Sequence, residues 1–307
     1  MAAGHGDRRA LPRAPDGAPV IVGIVIVVLL AASAFWLVSS GPLSLRAAYE
    51  RDVNDALPAV STQPAVTEAD LAHLPGPVAR YLRLVGVVGQ PRVQTFRVSA
   101  HGRIRSARDA PWIALSCEQH NIVVGDRARF FYLRGRMFAL PVYGYHRYLG
   151  ASATMRIKAA ALVTVVDAAG SEMTQGETVT LFNDMCVMAP ATLIDPTIVW
   201  LAVDDRSARA TFTNAGHTIR AELLFNESGE LVDFRSDDRY QATPDGKAFR
   251  LVRWSTPISG YRDFGAFRLA GRGEGRWHES GGDYSYIELT IDDVQYNVRG
   301  RRPVASG

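Results

Sequence analysis

From residue 93 onward, apolar and polar side chains alternate with a period of two. In residues 93–104, Phe96 and Val98 would point to one face of a strand, while the residues between them would point to the other. Further segments repeat this alternation as far as residue 298, and short runs rich in Gly, Pro, Asn and Asp separate them. Because short turns join antiparallel neighbours, the sequence predicts about eleven antiparallel strands.

One stretch, residues 176–189, breaks this alternation and has the spacing of a helix. Leu181, Met185 and Met188 recur at steps of three and four residues and form one apolar stripe. Such a stripe needs an apolar surface to cover, and the concave face of a curved sheet supplies one. We therefore predict a mainly β (α+β) fold in which a large curved antiparallel sheet, or half-barrel, covers a core helix.

Residues 20–38 are apolar and contain no charged side chain. A helix of this length reaches about 28 Å, close to the hydrocarbon thickness of a bilayer, which is about 30 Å. We therefore expect a transmembrane helix. The alternative is a cleaved signal peptide, whose apolar region would usually be about 7–15 residues long. The longer run, which ends near Trp36, favours an uncleaved membrane anchor.

Basic residues near the two ends of this run set its expected orientation. Arg8, Arg9 and Arg13 precede it, whereas Arg46 and Arg51 follow it among acidic residues. This excess favours an N-terminus in the cytoplasm, a single pass through the cell membrane, and a main domain outside the cytoplasm.

The predicted organisation has four parts. They are a cytoplasmic tail (residues 1–19), a transmembrane helix (20–38), a juxtamembrane helical segment (39–90) and an antiparallel β domain (91–300).

Composition and charge limit the classes of partner. The chain has 307 residues, of which 47% are hydrophobic and 21% charged, values typical of a globular protein with a sizeable core. Its 34 basic and 31 acidic residues leave a formal net charge of +3. Nucleic-acid binding requires clustered positive charge, and this sequence does not predict it. The membrane remains as a predicted partner, and the sequence identifies no protein partner.

Asn183 and Asp184 lie in the predicted core helix and allow two interpretations. They could pair with backbone groups or with a buried Arg, because buried polar groups need hydrogen-bond partners. They could also contact a ligand. Cys186 lies about 200° around an ideal helix from Asp184, so the two cannot share a face as nucleophile and base. Cys186 and the other cysteine, Cys117, would either form a disulfide in an oxidising compartment or stay as buried thiols.

The runs at residues 74–93, 177–196, 203–241, 253–265 and 286–298 together resemble a bacterial family of membrane-anchored proteins known only as a domain of unknown function. The resemblance covers roughly residues 70–298. It implies a β-rich fold comparable to the open half-barrels of envelope lipoprotein carriers. It implies no established activity and no catalytic residue.

The histidines after residue 91 are widely spaced, with no two within 15 residues of one another: His101, His120, His146, His217 and His278. Short metal-binding motifs place their ligands much closer together in sequence. The sequence therefore predicts no metal site, and it contains no pattern that indicates a cofactor or a catalytic residue.

Aromatic residues with polar tips and flexible Met side chains suit the wall of a ligand site. The candidate ligand-binding residues are Trp112, Phe138, Tyr143, Tyr145, His146, Met185, Met188 and Trp254. The predicted function is the binding of an apolar or amphiphilic, lipid-like molecule between the sheet and the core helix.

Two other classes of function stay open. One is an envelope hydrolase, in which folding would bring His120 or His146 beside Glu118, Asp184 or Asp238. The other is a scaffold that binds another envelope protein through an exposed apolar patch or sheet edge.

Overall fold

The computed structural model describes residues 18–58, 61–137 and 139–299. The α-helices in these ranges are α1 (Ala18–Ser39), α2 (Leu45–Ala56), α3 (Gly76–Leu84) and α4 (Ser171–Met188). The strands are β1 (Thr95–Ile104), β2 (Ile113–Ile122), β3 (Ala128–Met137), β4 (Leu140–Leu149), β5 (Ser152–Ala159), β6 (Val163–Ala169), β7 (Val199–Asp204), β8 (Ser207–Asn214), β9 (His217–Phe225), β10 (Leu231–Ser236), β11 (Tyr240–Ala242), β12 (Phe249–Leu251), β13 (Trp254–Ser255), β14 (Ile258–Asp263), β15 (Arg268–Glu279) and β16 (Gly282–Tyr296). Short 3-10 helices span Glu68–Leu71 and Pro190–Ile194.

Fourteen of these strands form one antiparallel sheet. Its order is β6-β5-β4-β3-β2-β1-β16-β15-β13-β10-β9-β8-β7, with β14 paired to β15 outside this path. Neighbours are mostly consecutive in sequence, and the pairing of β1 with β16 joins the first half of the sheet to the second. β11 and β12 form a separate hairpin. The prediction of a mainly β fold with a large antiparallel sheet is confirmed.

α4 connects β6 to β7, the two ends of the sheet path, and contacts strands of both halves. In the first half, the hydroxyls of Tyr148 in β4 and Thr178 are 2.9 Å apart. In the second half, Phe182 stacks on Phe212 of β8 with 4.9 Å between ring centroids. Because both halves contact the same helix, the sheet curves around it.

α4 differs from the predicted helix in its start and its burial. It begins at Ser171, before the predicted start, and is buried from Met173 to Val187 with the exception of Gln175. The predicted apolar stripe accounts for one buried face of the helix. The curved sheet surrounds the helix on several sides and therefore buries its other faces as well. α3 also packs against α4. The Tyr81 hydroxyl of α3 donates to the carbonyl oxygen of Cys186 in α4 at 3.0 Å.

α1 contains the apolar run, and its large side chains are exposed to the surroundings. From Pro19 to Ser39 it is long and apolar enough to cross a membrane, and an N-terminal signal sequence would share these properties. The first 17 residues, most of the predicted cytoplasmic tail, lie outside the described part of the chain.

α2 packs on the outer, convex face of the sheet. Leu45, Tyr49 and Val53 are its buried residues, and they form a small core with β2, β3 and β4. The Tyr145 hydroxyl of β4 donates to Oδ2 of Asp52 at 2.6 Å. This contact fixes the segment that follows α1 to the sheet.

The contact between α2 and the sheet is expected to weaken in acid because of His120. Its Nδ1 lies 2.7 Å from the Tyr49 hydroxyl. Burial lowers the pKa of His120 to about 4, with Glu118 opposing and Arg97 and Arg46 reinforcing this shift. The unfolded chain has a His pKa of about 6.5 and takes up the proton first, so stability is lost as the pH falls from about 6.5 to about 4, by at most about 3 kcal/mol.

Denaturant unfolding at a series of pH values measures this effect. His120→Asn is expected to flatten the profile over that window, whereas the exposed His73→Asn leaves it unchanged. If the free energy of unfolding depended on pH identically in wild type and His120→Asn, the loss of stability in acid could not be assigned to His120.

Candidate functional site

A cleft of about 160 Å³ lies between the concave face of the sheet and the C-terminal half of α4. On the helix side it is lined by Val187 and Met188. On the sheet side it is lined by Ala100, Cys117, Phe131 and Leu133, which with Leu115 form a buried cluster separate from the main core. The cleft therefore has an apolar wall on each side.

A second space, the side cavity, adjoins the cleft and encloses about 190 Å³. The hairpin of β11 and β12 borders it through Tyr240, Ala242 and Phe249. The residues that line both spaces are Ile104, Leu133, His146, Glu177, Arg239 and Tyr286. The two spaces therefore meet at a mixed apolar and polar junction.

A buried charge cluster forms part of the cleft lining. Arg129 of β3 donates from Nε to Asp184 Oδ2 at 2.6 Å and from Nη1 to Glu177 Oε2 at 3.0 Å. Gln119 Nε2 and Asn121 Nδ2 of β2 also donate to Asp184 Oδ2, at 2.7 and 3.3 Å. Asp184 thus serves as the partner of a buried Arg, one of the two interpretations that the sequence allows.

The two carboxylates of this cluster differ in acidity. Burial raises the pKa of Asp184, and Arg129 only partly offsets it. Burial acts in the same direction on Glu177, but Arg129 and His146 outweigh it and lower the pKa of Glu177 to about 2. The two carboxylates share one guanidinium, which together with His146 favours the charged form of Glu177 more strongly than Arg129 favours that of Asp184.

Arg239 lies at the junction of the cleft and the side cavity. Its guanidinium carbon is 4.4 Å from the ring centroid of Trp254 and 5.2 Å from that of Trp277. It donates to the hydroxyl oxygens of Thr180 at 3.2 Å and Tyr286 at 3.3 Å. Its hydrogen bonds are therefore to neutral hydroxyls, and its charge also helps to lower the pKa of the nearby Glu177.

Three buried polar atoms that belong to residues lining the cleft have no hydrogen-bond partner among the described residues. They are Asn183 Oδ1, Trp254 Nε1 and Thr256 Oγ1. Buried polar groups are nearly always paired, and an unpaired group costs about 1–3 kcal/mol. Each of the three belongs to a residue that lines the cleft, so a bound molecule is a potential partner for it.

A family of unknown function, DUF6544, matches residues 64–289. This range is more than half of the 307 residues. The chain belongs to this family. No curated protein matches the sequence.

Several solved structures resemble this fold at low sequence identity. A DUF1329 family protein from Desulfovibrio piger is 12% identical, with a TM-score of 0.41 over 76% of this chain and 95% of that one. A LolA superfamily protein from Nitrosomonas europaea is 11% identical, with a TM-score of 0.36 over 76% of this chain and 94% of that one. A candidate outer membrane lipoprotein-sorting protein domain from Vibrio parahaemolyticus is 9% identical, with a TM-score of 0.37 over 66% of this chain and 85% of that one.

The structure brings together three of the candidate ligand-binding residues. His146, Met188 and Trp254 line the cleft. Met185 does not line it, because its side chain is fully buried in the main core. The role of these residues in binding remains a prediction.

Three other candidates lie away from the cleft, and Phe138 falls outside the described residues. Tyr143 and Tyr145 pack with α2 on the outer face, because they alternate with the inward residues of β4. Trp112 follows the β1–β2 turn, with the guanidinium carbons of Arg103 and Arg105 each 4.5 Å from its ring centroid. The two tyrosines therefore lie on the sheet face opposite to His146.

Sequence reasoning missed Glu177, Arg239 and Arg129 as parts of the site. A signal for Arg129 was present, because it has the same strand phase as the inward-facing Phe131 and Leu133. A charge in the apolar phase of a strand indicates a buried partner. The position of Arg239, just after β10, has no comparable signal.

Both cysteines are buried free thiols. Burial raises the pKa of Cys117 to about 12 and also raises the pKa of Cys186. A reactive cysteine needs a stabilised and accessible thiolate. Neither thiol meets this condition.

In the described part of the chain, neither His120 nor His146 has a ring nitrogen within 4.0 Å of a carboxylate oxygen of Glu118, Asp184 or Asp238, the pairs expected of a hydrolase. His146 Nδ1 lies 3.7 Å from Glu177 Oε1, but that carboxylate is bound by Arg129. A different arrangement occurs on the outer face, where His278 Nε2 is 2.8 Å from Ser255 Oγ and His278 Nδ1 is 2.8 Å from Asp283 Oδ2.

We expect Ser255 to be unreactive despite this arrangement. It is only 1% exposed, and neither Ser255 nor His278 lines the cleft or the side cavity. A nucleophile must be reachable by its substrate and have a site for the reacting carbonyl. A fluorophosphonate probe is expected to add no mass to the native chain. Stoichiometric labelling that Ser255→Ala removes would instead establish a serine hydrolase.

Proposed function

We propose that this chain is a membrane-anchored, extracytoplasmic protein that binds an apolar or amphiphilic, lipid-like molecule in the cleft. The observation that carries the proposal is an apolar cleft whose lining residues include three with buried polar atoms that lack a partner within the described ranges. Ligand sites commonly combine an apolar wall with a few polar groups, and span about 300–1,000 Å³. The cleft and the side cavity together reach the lower end of that range.

The wall also suits a flexible apolar chain. Met188 closes the helix side of the cleft, and Met155 lines the side cavity. Unbranched thioether side chains adapt to varied apolar shapes. An acyl chain fits such a surface better than a rigid polar metabolite does.

The position of α1 supports access from a membrane. Val38 and Ser39 at its end border the same small crevice as Ala161 in the β5–β6 turn. Leu162 and Val163 of that hairpin are exposed by 62% and 60%. With α1 in a bilayer, we propose that this hairpin rests on the membrane surface.

The same hairpin also borders the side cavity. Ile157 of β5 and Val166 of β6 face that cavity. A single hairpin thus has one face toward the proposed membrane contact and one toward the binding space. This arrangement gives a short route for a lipid chain.

Photolabelling tests the proposal on the full chain in bilayer nanodiscs. A fatty acid with a diazirine in its chain is added, irradiated, and the labelled peptides are identified by mass spectrometry. We expect labels in β1, β3 and the C-terminal half of α4. Labels confined to α1 would show ordinary bilayer contact and would remove support for a binding cleft.

A further inference from the structure

We infer that the molecule bound in the cleft is an amphiphile with an anionic headgroup, and that Arg239 binds that headgroup at the junction with the side cavity. The inference rests on the proposed function and adds the chemical class of its ligand. Either a carboxylate or a phosphate headgroup would accept hydrogen bonds from the guanidinium.

The first argument is the set of contacts that Arg239 makes. Its neighbours are the rings of Trp254 and Trp277 and the hydroxyl oxygens of Thr180 and Tyr286. In the described part of the chain, no carboxylate oxygen lies within 4.0 Å of it. A guanidinium has five N–H donors, and only two are used here, so donors remain for an anionic group.

The carboxylates that line the two spaces already have cationic partners. Glu177 and Asp184 are bound by Arg129. Glu274 is bound by Arg276 at 2.8 Å. The lining cations that have no carboxylate within 4.0 Å among the described residues are Arg105, Arg239 and Arg272. With Arg129 the lining has four arginines against three carboxylates, Glu177, Asp184 and Glu274, so its formal excess is one positive charge, which favours an anionic ligand.

Unused hydrogen-bond donors lie beside Arg239. Among the described residues, the Nε1–H of Trp254, whose ring contacts the guanidinium, has no hydrogen-bond partner, and neither has the hydroxyl of Thr256, two residues further along the chain. Both groups can donate to the oxygens of a carboxylate or phosphate. Asn183 Oδ1 is an acceptor and suits a hydroxyl of the headgroup rather than its charge.

Apolar residues line the space directly beside Arg239. Ile104 and Leu133 line the same junction as Arg239. Beyond them, Phe131 and Val98 continue the wall of the cleft. A headgroup at Arg239 would therefore leave its chain on an apolar surface, as an amphiphile requires.

The test compares probes of equal chain length and different headgroup at pH 8. The full chain in nanodiscs is titrated with a diazirine fatty acid and with the corresponding fatty alcohol, and cleft labelling is measured. Arg239→Gln is expected to weaken labelling by the acid about tenfold or more and labelling by the alcohol less than about twofold. Arg239→Lys should restore part of the loss, because it keeps the charge but not the planar geometry.

Arg220→Gln, on the exposed face of β9, is the matched control and should change neither titration. Competition with phosphatidic acid and with a short-chain fatty acid separates phosphate from carboxylate headgroups. The inference would be overturned if Arg239→Gln weakened cleft labelling by the acid and by the alcohol equally, or weakened neither. The cleft would then remain a lipid site. Absence of cleft labelling in the wild type would overturn the proposed function itself.

Discussion

Replacing Arg129 with methionine is expected to lower the free energy of unfolding by about 3–5 kcal/mol. The substitution leaves the carboxylates of Glu177 and Asp184 buried without their shared cation. Their side chains are only 3% and 5% exposed, so water solvates their charges much less than it would at the protein surface. The loss comes mainly from this unpaired buried charge, since methionine retains much of the packing of the Arg stem.

Denaturant unfolding in mild detergent measures this loss. Arg134→Met, on the exposed side of the same strand, is the control and should change stability by less than about 0.5 kcal/mol. Adding Glu177→Gln and Asp184→Asn to Arg129→Met should recover part of the loss, because the uncompensated charges are then removed. A change below about 1 kcal/mol in Arg129→Met would mean that the cluster does not stabilise the fold.

Filling the cleft with Ala100→Phe is expected to reduce cleft labelling by the diazirine fatty acid about a hundredfold or more. Ala100 is 5% exposed and lines the middle of the sheet-side wall. A phenyl group at this position would occupy space that the ligand chain needs. By contrast, labelling of α1 by bilayer lipid should persist, because α1 contributes no residue to the cleft.

His101→Phe provides the matched control. It is the next residue of β1 and faces the outer side, where 60% of its side chain is exposed. Cleft labelling in this variant should equal that of the wild type. If Ala100→Phe keeps both its thermal stability and its full cleft labelling, the labelled site cannot be the cleft.

The sheet and the core helix could be predicted from the sequence because both depend on local periodicity. Alternation in β1 places Val98 and Ala100 on one face wherever the strand pairs. The stripe of Leu181 and Met185 likewise indicates a buried helix in any antiparallel context. The apolar run of α1 is equally local, so its length and composition follow directly from residues 20–38.

The candidate site was predicted only in part, because it depends on contacts between distant residues. Met188 and Trp254 line the cleft, and apolar or aromatic character was a sufficient guide to them. Tyr143 and Tyr145 have similar chemistry but belong to the opposite face, where α2 covers them. Residue type alone cannot distinguish these two environments.

The sequence by itself determined the alternating faces of the strands, the apolar N-terminal helix and the presence of a core helix with a buried apolar stripe. Only the tertiary structure decided that Arg129 joins Glu177 to Asp184, that Arg239 contacts the rings of both Trp254 and Trp277, and that a cleft remains beside them. The physical reason is the separation along the chain of the residues that interact. Periodicity is set by neighbours a few residues apart, whereas an ion pair or a cavity is set by how the curved sheet brings separate strands against the helix.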